Sequence, residues 1–373
     1  MRKVLFVLLT YFPLQGYGQI IADHTVVDKF DDIPQYYIDE VKKMWLSYAG
    51  ESHSAAIRTG LVLLESIDSW FQVNVTESGT PEVYTSSHLR ASRATWGDVS
   101  HSTGWTYGYG EEDWFTSSIA IDRTKEGITY CNTHNLEIAA IGFGWCWDPG
   151  INSTSEFETY IEATKEYIAH CASSSMDTKV FFTTGTVDGS TATGEIGYEK
   201  YLGYKQIRDS VRANSARILF DYADILCYDD DSETPNTTTW SGHDYPIITT
   251  TNSLPEQTGH ISNAGALRLA RAMWWMLARI AGWDGNAPLS IDDNQNNKGY
   301  REKIVTHDKI QLQLDEHHSK WSAGLYDFQG MEIIKENIGS DLLTFDISTL
   351  SSGIYFIVLS NGREKLVEKV IKP

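Results

Sequence analysis

Between residues 21 and 285, short and almost wholly apolar runs alternate with stretches whose apolar residues recur at helical spacing. The runs "LEIAAIGF" (136–143), "KVFFTTG" (179–185) and "ARILF" (216–220) read as strands buried on both faces, which is how parallel strands are written. Phe157, Tyr160, Ile161, Thr164, Tyr167, Ile168 and Cys171 predict a helix over 155–171, opened by a Ser155/Glu158 capping box. Leu267, Ala270, Met273, Trp274, Leu277 and Ile280 make a second helical stripe, capped at Ser262 or Asn263 and ended at Gly282. This alternation predicts an α/β domain in three α/β/α layers around a parallel sheet. Residues 286–301, rich in Asn, Asp and Gly, read as a linker. From 302 to 373, apolar and polar residues alternate between Gly, Ser and Asn turns, which predicts a small C-terminal antiparallel β-sandwich carrying no chemistry.

The ends and the charge narrow the setting. Residues 1–18 read as a secretory signal peptide: Arg2 and Lys3, the apolar core Val4–Leu9, then Gly16 and Gly18 before a cut after Gly18. That core is too short to cross a bilayer, and the mature chain is expected to have no membrane span. With 50 Asp and Glu against 30 Lys and Arg, the charge argues against nucleic acid or an anionic membrane as the main partner. Cys131, Cys146, Cys171 and Cys227 allow three disulfide pairings or buried free thiols. Their wide spacing is not a zinc pattern, and neither a metal nor a cofactor is expected. The acidic stretch "CYDDDSETPNTTT" (227–239) reads as a solvated loop, with calcium as the less favoured reading.

The segments "LYDFQGMEI" (325–333) and "FDISTLSSGIYFIVLSNG" (345–362), with the basic finish "KVIKP", resemble the C-terminal sorting domain of the type IX secretion system. The resemblance implies export through the periplasm of a Gram-negative bacterium of the Bacteroidetes group. The type IX machinery would be a partner, and the product would be secreted or held at the cell surface.

One stretch points to chemistry. In "YAGESHSAAIRTG" (48–60), an apolar run leads through Gly50 to Ser52, and Ile57, Leu61, Leu64 and Ile67 then keep helical spacing. Ser52 is either a nucleophile on a strand-to-helix turn or an ordinary N-cap. A nucleophilic serine needs a base, and His260, just before the helix at 263, lies in a loop of the same kind. His53 competes as base, but its side chain starts one residue further round the turn. Asp188, Asp221 and Asp224 either line a site or end strands and cap turns.

Gly50-Glu51-Ser52-His53-Ser54 and His260-Ile-Ser-Asn-Ala-Gly265 resemble the nucleophile and base blocks of the SGNH (GDSL-type) hydrolases. The resemblance implies Ser52 as nucleophile and His260 as base. The family's Asp three residues before the His is replaced by Gln257, which leaves Glu256 or Asp244 as the acid. The backbone of Ser52 and Gly144 are the oxyanion candidates. Trp105, Tyr107, Tyr109 and Trp145 are candidate substrate-binding rings for a sugar, or one core face of a strand. The expected function is a secreted serine esterase acting on ester bonds, such as O-acetyl groups on a polysaccharide. The alternative is an inactive surface protein of the same fold that binds glycan.

Overall fold

The computed structural model describes residues 18–50, 52–97, 104–106, 113–144, 154–286, 300–314, 321–327, 331–338, 342–360 and 365–372. The chain divides into two units, Met1–Ala287 and Pro288–Pro373. In the first, the strands are β1 (Ile21–Ala22), β2 (Trp45–Ala49), β3 (Val73–Thr76), β4 (Leu89–Ser92), β5 (Thr95–Trp96), β6 (Trp105–Thr106), β7 (Ala140–Phe143), β8 (Lys179–Thr183), β9 (Ile218–Phe220), β10 (Thr237–Trp240) and β11 (His243–Pro246). The helices are α1 (Gln35–Val41), α2 (Ser52–Ile67), α3 (Asp113–Thr116), α4 (Ser118–Thr133), α5 (Thr154–Ser173), α6 (Gly194–Arg212), α7 (Tyr222–Leu226), α8 (Thr250–Ser253) and α9 (Asn263–Ile280).

Seven strands form one sheet in the order β1-β9-β8-β7-β2-β4-β3. Every neighbouring pair in it is parallel. Each residue of β2, β4 and β7 is buried. A strand with no exposed face needs cover on both sides, which is why these segments read as unbroken apolar runs rather than alternations. The predicted strands at 136–143, 179–185 and 216–220 are present as β7, β8 and β9. The predicted helices are α5 and α9. The Ser262 hydroxyl accepts from the Gly265 N–H at 3.1 Å to cap α9, and Gly282 leaves it at φ 104°.

α2 and α9 cross so closely that a Cβ on Gly60 would overlap the Ala266 carbonyl. Only glycine allows the two backbones to touch there. The start of the described chain is also tied down: the Gln19 amide donates to the carbonyls of Val211, Asn214 and Arg217 around the C-terminal end of α6.

The acidic stretch 227–239 is less of a loop than expected. Residues 237–240 form β10, paired antiparallel with β11 through Ser241 and Gly242 at φ 49° and 81°. Positive φ at both turn residues is the two-residue hairpin geometry. Trp240 and His243 lie against Tyr198 of α6, with ring centroids 5.6 and 5.0 Å from it. Arg268 pairs with Asp230, and the Thr249 hydroxyl donates to Asp229 at 2.6 Å, so two of these acids serve the fold.

The second unit holds β12 (Tyr300–Val305), β13 (Lys309–Leu314), β14 (Ser322–Asp327), β15 (Glu332–Asn337), β16 (Leu342–Asp346), β17 (Gly353–Ser360) and β18 (Lys365–Lys372). They form two antiparallel sheets, β12-β13-β16 and β15-β14-β17-β18. Leu312 and Phe345 of one sheet share a core with Leu325 and Ile357 of the other.

One buried ion pair ties α6 to the end of β9. Arg208 donates from Nε and Nη2 to the two carboxylate oxygens of Asp221, at 2.6 and 2.8 Å. Asp221 also caps α7, accepting from the Asp224 N–H and from the Thr184 hydroxyl at 2.7 Å. Burial alone would raise the Asp221 carboxyl, but the Arg208 charge and these bonds hold it below its ordinary value. Removing one partner of such a pair strands a buried charge, so Arg208→Ala is expected to cost about 3–5 kcal/mol. A carboxyl lowered by folding stabilises above its unfolded value, about 3.9, and that contribution disappears as pH falls through the lowered folded value. Urea unfolding at pH 7 and in acid checks this: the gap between wild type and variant narrows in acid.

Candidate functional site

The site grows from the end of β2. Gly50 turns the chain at φ 130°, a conformation that disfavours any Cβ, and a Cβ there would lie 2.7 Å from the Gly144 carbonyl oxygen. α2 then starts at Ser52, which is half-buried. The N-terminal end of α2, with its partial positive charge, faces the same sheet edge. Buried Arg58 fastens this turn to the strand: its Nη1 donates to the Tyr48 carbonyl and to the Ser54 hydroxyl, both at 3.2 Å, and it pairs with Glu77. The chain leaves β2 towards β4 and β3 but leaves β7 towards β8 and β9. Ser52 therefore stands at the point where the strand order reverses, the crevice where open parallel sheets bind ligands.

His260 arrives from the other end of the domain. Gly259 and His260, at φ 59° and 64°, make a two-residue turn between Thr258 and Ile261, which bridge one another. A Cβ on Gly259 would lie 2.5 Å from the Ser52 carbonyl oxygen and 2.7 Å from Ala56 Cβ. The turn thus rests on the first turn of α2, and His260 is held beside Ser52 in a conformation uncommon for a residue with a Cβ. Its Nδ1 lies 3.2 Å from Glu256 Oε1, and both side chains are exposed, at 44% and 59%.

Gln257, in the place of the SGNH aspartate, accepts from the Asn263 N–H at 2.9 Å and fixes the start of α9. Asp244 accepts from the Thr239 hydroxyl on the β10–β11 hairpin. The structure therefore gathers Ser52, His260 and Glu256 at one edge. Gly144 is there too, but its N–H donates to the Ala49 carbonyl at 2.6 Å, so that donor is committed within the sheet. Trp105 is not a platform: it is buried, with its ring edge-on to Trp96 at 5.0 Å. Tyr107, Tyr109 and Trp145 lie outside the described residues.

The same edge holds a pair that the sequence reading did not join. His53 points inward, and its Nε2 lies 2.9 Å from Asp188 Oδ1 with both side chains buried. Its ring meets Tyr222 edge-on at 6.2 Å and lies 5.1 Å from the His260 ring. His53 Nδ1 is buried with no hydrogen-bond partner among the described residues. His53, Tyr48, Gly144, Thr184, Thr186 and Tyr222 line a crevice packed too tightly to admit a water molecule. The one signal in the sequence was Asp188's place in "TGTVDG", directly after a strand buried on both faces.

Further along the edge, His24 Nδ1 lies 2.5 Å from Asp224 Oδ2, and its ring stacks on Tyr228 at 3.4 Å. Burial first, and then the charge of Asp221, push the Asp224 carboxyl up. Asp23, His24 and Asp224 could offer three metal ligand atoms within 4.8 Å of one another. Asp23 already accepts from the Thr25 N–H and hydroxyl, and His24 is committed to Asp224, so the group reads as a tie between β1 and α7. Cys131, Cys171 and Cys227 are free and buried, and Cys146 lies outside the described residues.

The seat of the Gly259–His260 turn can be tested directly. Gly259→Ala puts a methyl group into the Ser52 carbonyl at an unfavourable φ. It is expected to destabilise the protein by about 1–3 kcal/mol in urea unfolding. It should also loosen the 258–261 segment, seen as faster amide hydrogen exchange there than in α5.

Residues 306–373 match the model of the secretion system C-terminal sorting domain. The second unit is thus a type IX sorting domain, which marks an exported protein, secreted or at the cell surface, of Bacteroidetes-type bacteria. No helix among the described residues is long and apolar enough to cross a membrane. Comparison with curated proteins finds no match. One similar solved structure is a double mutant of the endo-beta-1,4-mannanase of Cellulomonas fimi. It is 9% identical, with 95% of this chain and 99% of that chain covered, and the TM-score of 0.25 is too low to carry an argument.

Proposed function

We propose that the first unit is an exported serine ester hydrolase of SGNH type, with the three-layer α/β/α arrangement of that superfamily. The observation that carries this reading is the Gly259–His260 turn seated on the first turn of α2, at the point where strand order reverses. Ser52 Oγ attacks the ester carbonyl. His260 takes the hydroxyl proton and returns it to the leaving alcohol, with Glu256 at its Nδ1. The Ser52 N–H faces the developing oxyanion. Water then attacks the acyl-enzyme, with His260 as base again.

Export favours an extracellular polymer as substrate. Acetyl esters of a polysaccharide fit that setting. A fluorophosphonate probe tests the chemistry: wild type is expected to label, Ser52→Ala not at all, and His260→Ala far more slowly. An unlabelled wild type overturns the proposal.

The exposure of Glu256 sets a second expectation. An exposed pair orients its partner weakly, so Glu256→Gln is expected to lower kcat no more than about tenfold, against ~10⁴-fold for a buried triad acid. Steady-state hydrolysis of an aryl acetate measures it.

A second reading, an inactive member of the fold that binds glycan, is favoured by one observation. The committed Gly144 N–H leaves the backbone short of a second oxyanion donor. That reading predicts polysaccharide binding without Ser52 labelling.

A further inference from the structure

The β10–β11 hairpin brings a row of rings to the surface beside the first half of α6. The Tyr198 ring lies within 14° of His243, 32° of Trp240 and 33° of Tyr201, with centroids 5.0, 5.6 and 6.2 Å away. Rings staggered in this way cover one another in part and leave part of each face open. Tyr198, Tyr201 and Trp240 are half-buried, and His243 is exposed. Docking of the hairpin does not require them open. Tyr245 is buried, and its hydroxyl donates to the Gly194 carbonyl at 3.2 Å, which fastens β11 to the start of α6. Ring surface left in water is unfavourable, and a contiguous run of it marks a binding surface.

The surroundings name the partner. An aromatic face is electron-rich and matches the C–H face of a sugar ring. Sugar hydroxyls also need acceptors at the rim, and Glu195, Glu199, Thr237 and Asp244 are exposed there. Across 191–201 and 237–246 the one Lys or Arg is Lys200, which is buried and donates to the Thr191 hydroxyl at 2.9 Å. An anionic chain would meet like charge at this rim, so the surface suits a neutral one. Its place also fits. Tyr201 lines a cavity of about 40 Å³ together with Thr186, and Thr186 lines the crevice beside His53 as well. The rings and the turn that carries Ser52 thus flank the same loop after β8.

We propose that Tyr198, Tyr201, Trp240 and His243 form a binding surface for the sugar rings of a neutral polysaccharide, distinct from the Ser52 site and independent of its chemistry. The chain stacks on the rings, and the rim carboxylates accept from its hydroxyls. Export, which the sorting domain marks, brings the surface to where such polymers are met.

Affinity electrophoresis of the full chain tests this, with Ser52→Ala present so that no ester is turned over. The gels carry soluble glucomannan, xyloglucan or mixed-linkage β-glucan, with polygalacturonate as the anionic probe. Retardation by at least one neutral polymer and none by polygalacturonate is expected. Trp240→Ala combined with His243→Ala is expected to weaken binding about tenfold. Tyr130→Ala, which removes a ring stacked on His134 at α4, is expected to leave binding unchanged. No retardation by any neutral polymer, equal retardation by polygalacturonate, or full binding by the Trp240/His243 variant overturns the proposal.

Where that variant does not fold, wild type suffices. Its Trp240 indole N–H resonance, assigned by its loss in Trp240→Phe, is expected to shift when a hexasaccharide of the retarding polymer is added. An unmoved signal overturns the proposal. The two readings fail separately: an unlabelled Ser52 leaves this surface standing, and absent retardation leaves the esterase reading standing.

Discussion

Two helices touch backbone to backbone, and the candidate site depends on that contact. At Gly60 the α2 main chain meets the carbonyl of Ala266 in α9, and at Gly259 the turn before α9 meets the carbonyl of Ser52. Helices that pack through ordinary side chains stand 8–10 Å apart. At Gly60 no side chain projects, and the α2 main chain rests directly on the Ala266 carbonyl. The apolar stripe of α9, with Leu269, Met273, Trp274 and Leu277 buried, then locks the arrangement. The loop that carries a histidine far from the serine in sequence is thereby packed against the serine's own helical turn.

The sheet supplies the other half of the geometry. Its parallel strands all deliver their loops to one edge, so the turn after β2, the loop after β8 and the cap of α7 face the same space. The edge is dense with pairs: Arg208 with Asp221, His24 with Asp224, His53 with Asp188. The first two tie elements together. The third has an atom left over, which is what separates it from them.

Much of this architecture was legible. The buried runs and the stripe of α9 have periods set by the backbone, and both appear where the periods place them. The hairpin at 237–246 was hidden because its residues are polar and its partner surface, the rings of α6, belongs to another segment. Trp105 failed as a sugar platform for the opposite reason: ring and glycine content says nothing of which way a strand faces. The partner of His53 was hidden because a helix direction drawn from one turn does not include what the fold lays over it. Asp188 and His53 are joined only through the sheet. In the tail, alternation was enough, since both faces of β13 are written in its period. Lys372 adds a detail that alternation does not encode: its ammonium is buried and donates to the Ile347 and Leu350 carbonyls at 2.6 Å.

Cys131, Cys171 and Cys227 are free and sequestered. Burial pushes the Cys131 thiol up to about 12 and the Cys171 thiol to about 11, and raises Cys227 far above the ordinary value. A thiol reacts as its thiolate, so the native molecule offers oxidants and alkylating agents almost nothing at these positions. An opened chain offers all three. In an exported protein this makes folding a race against the oxidising compartment it crosses, and it turns the three sulfurs into native reporters of how often each part of the domain opens.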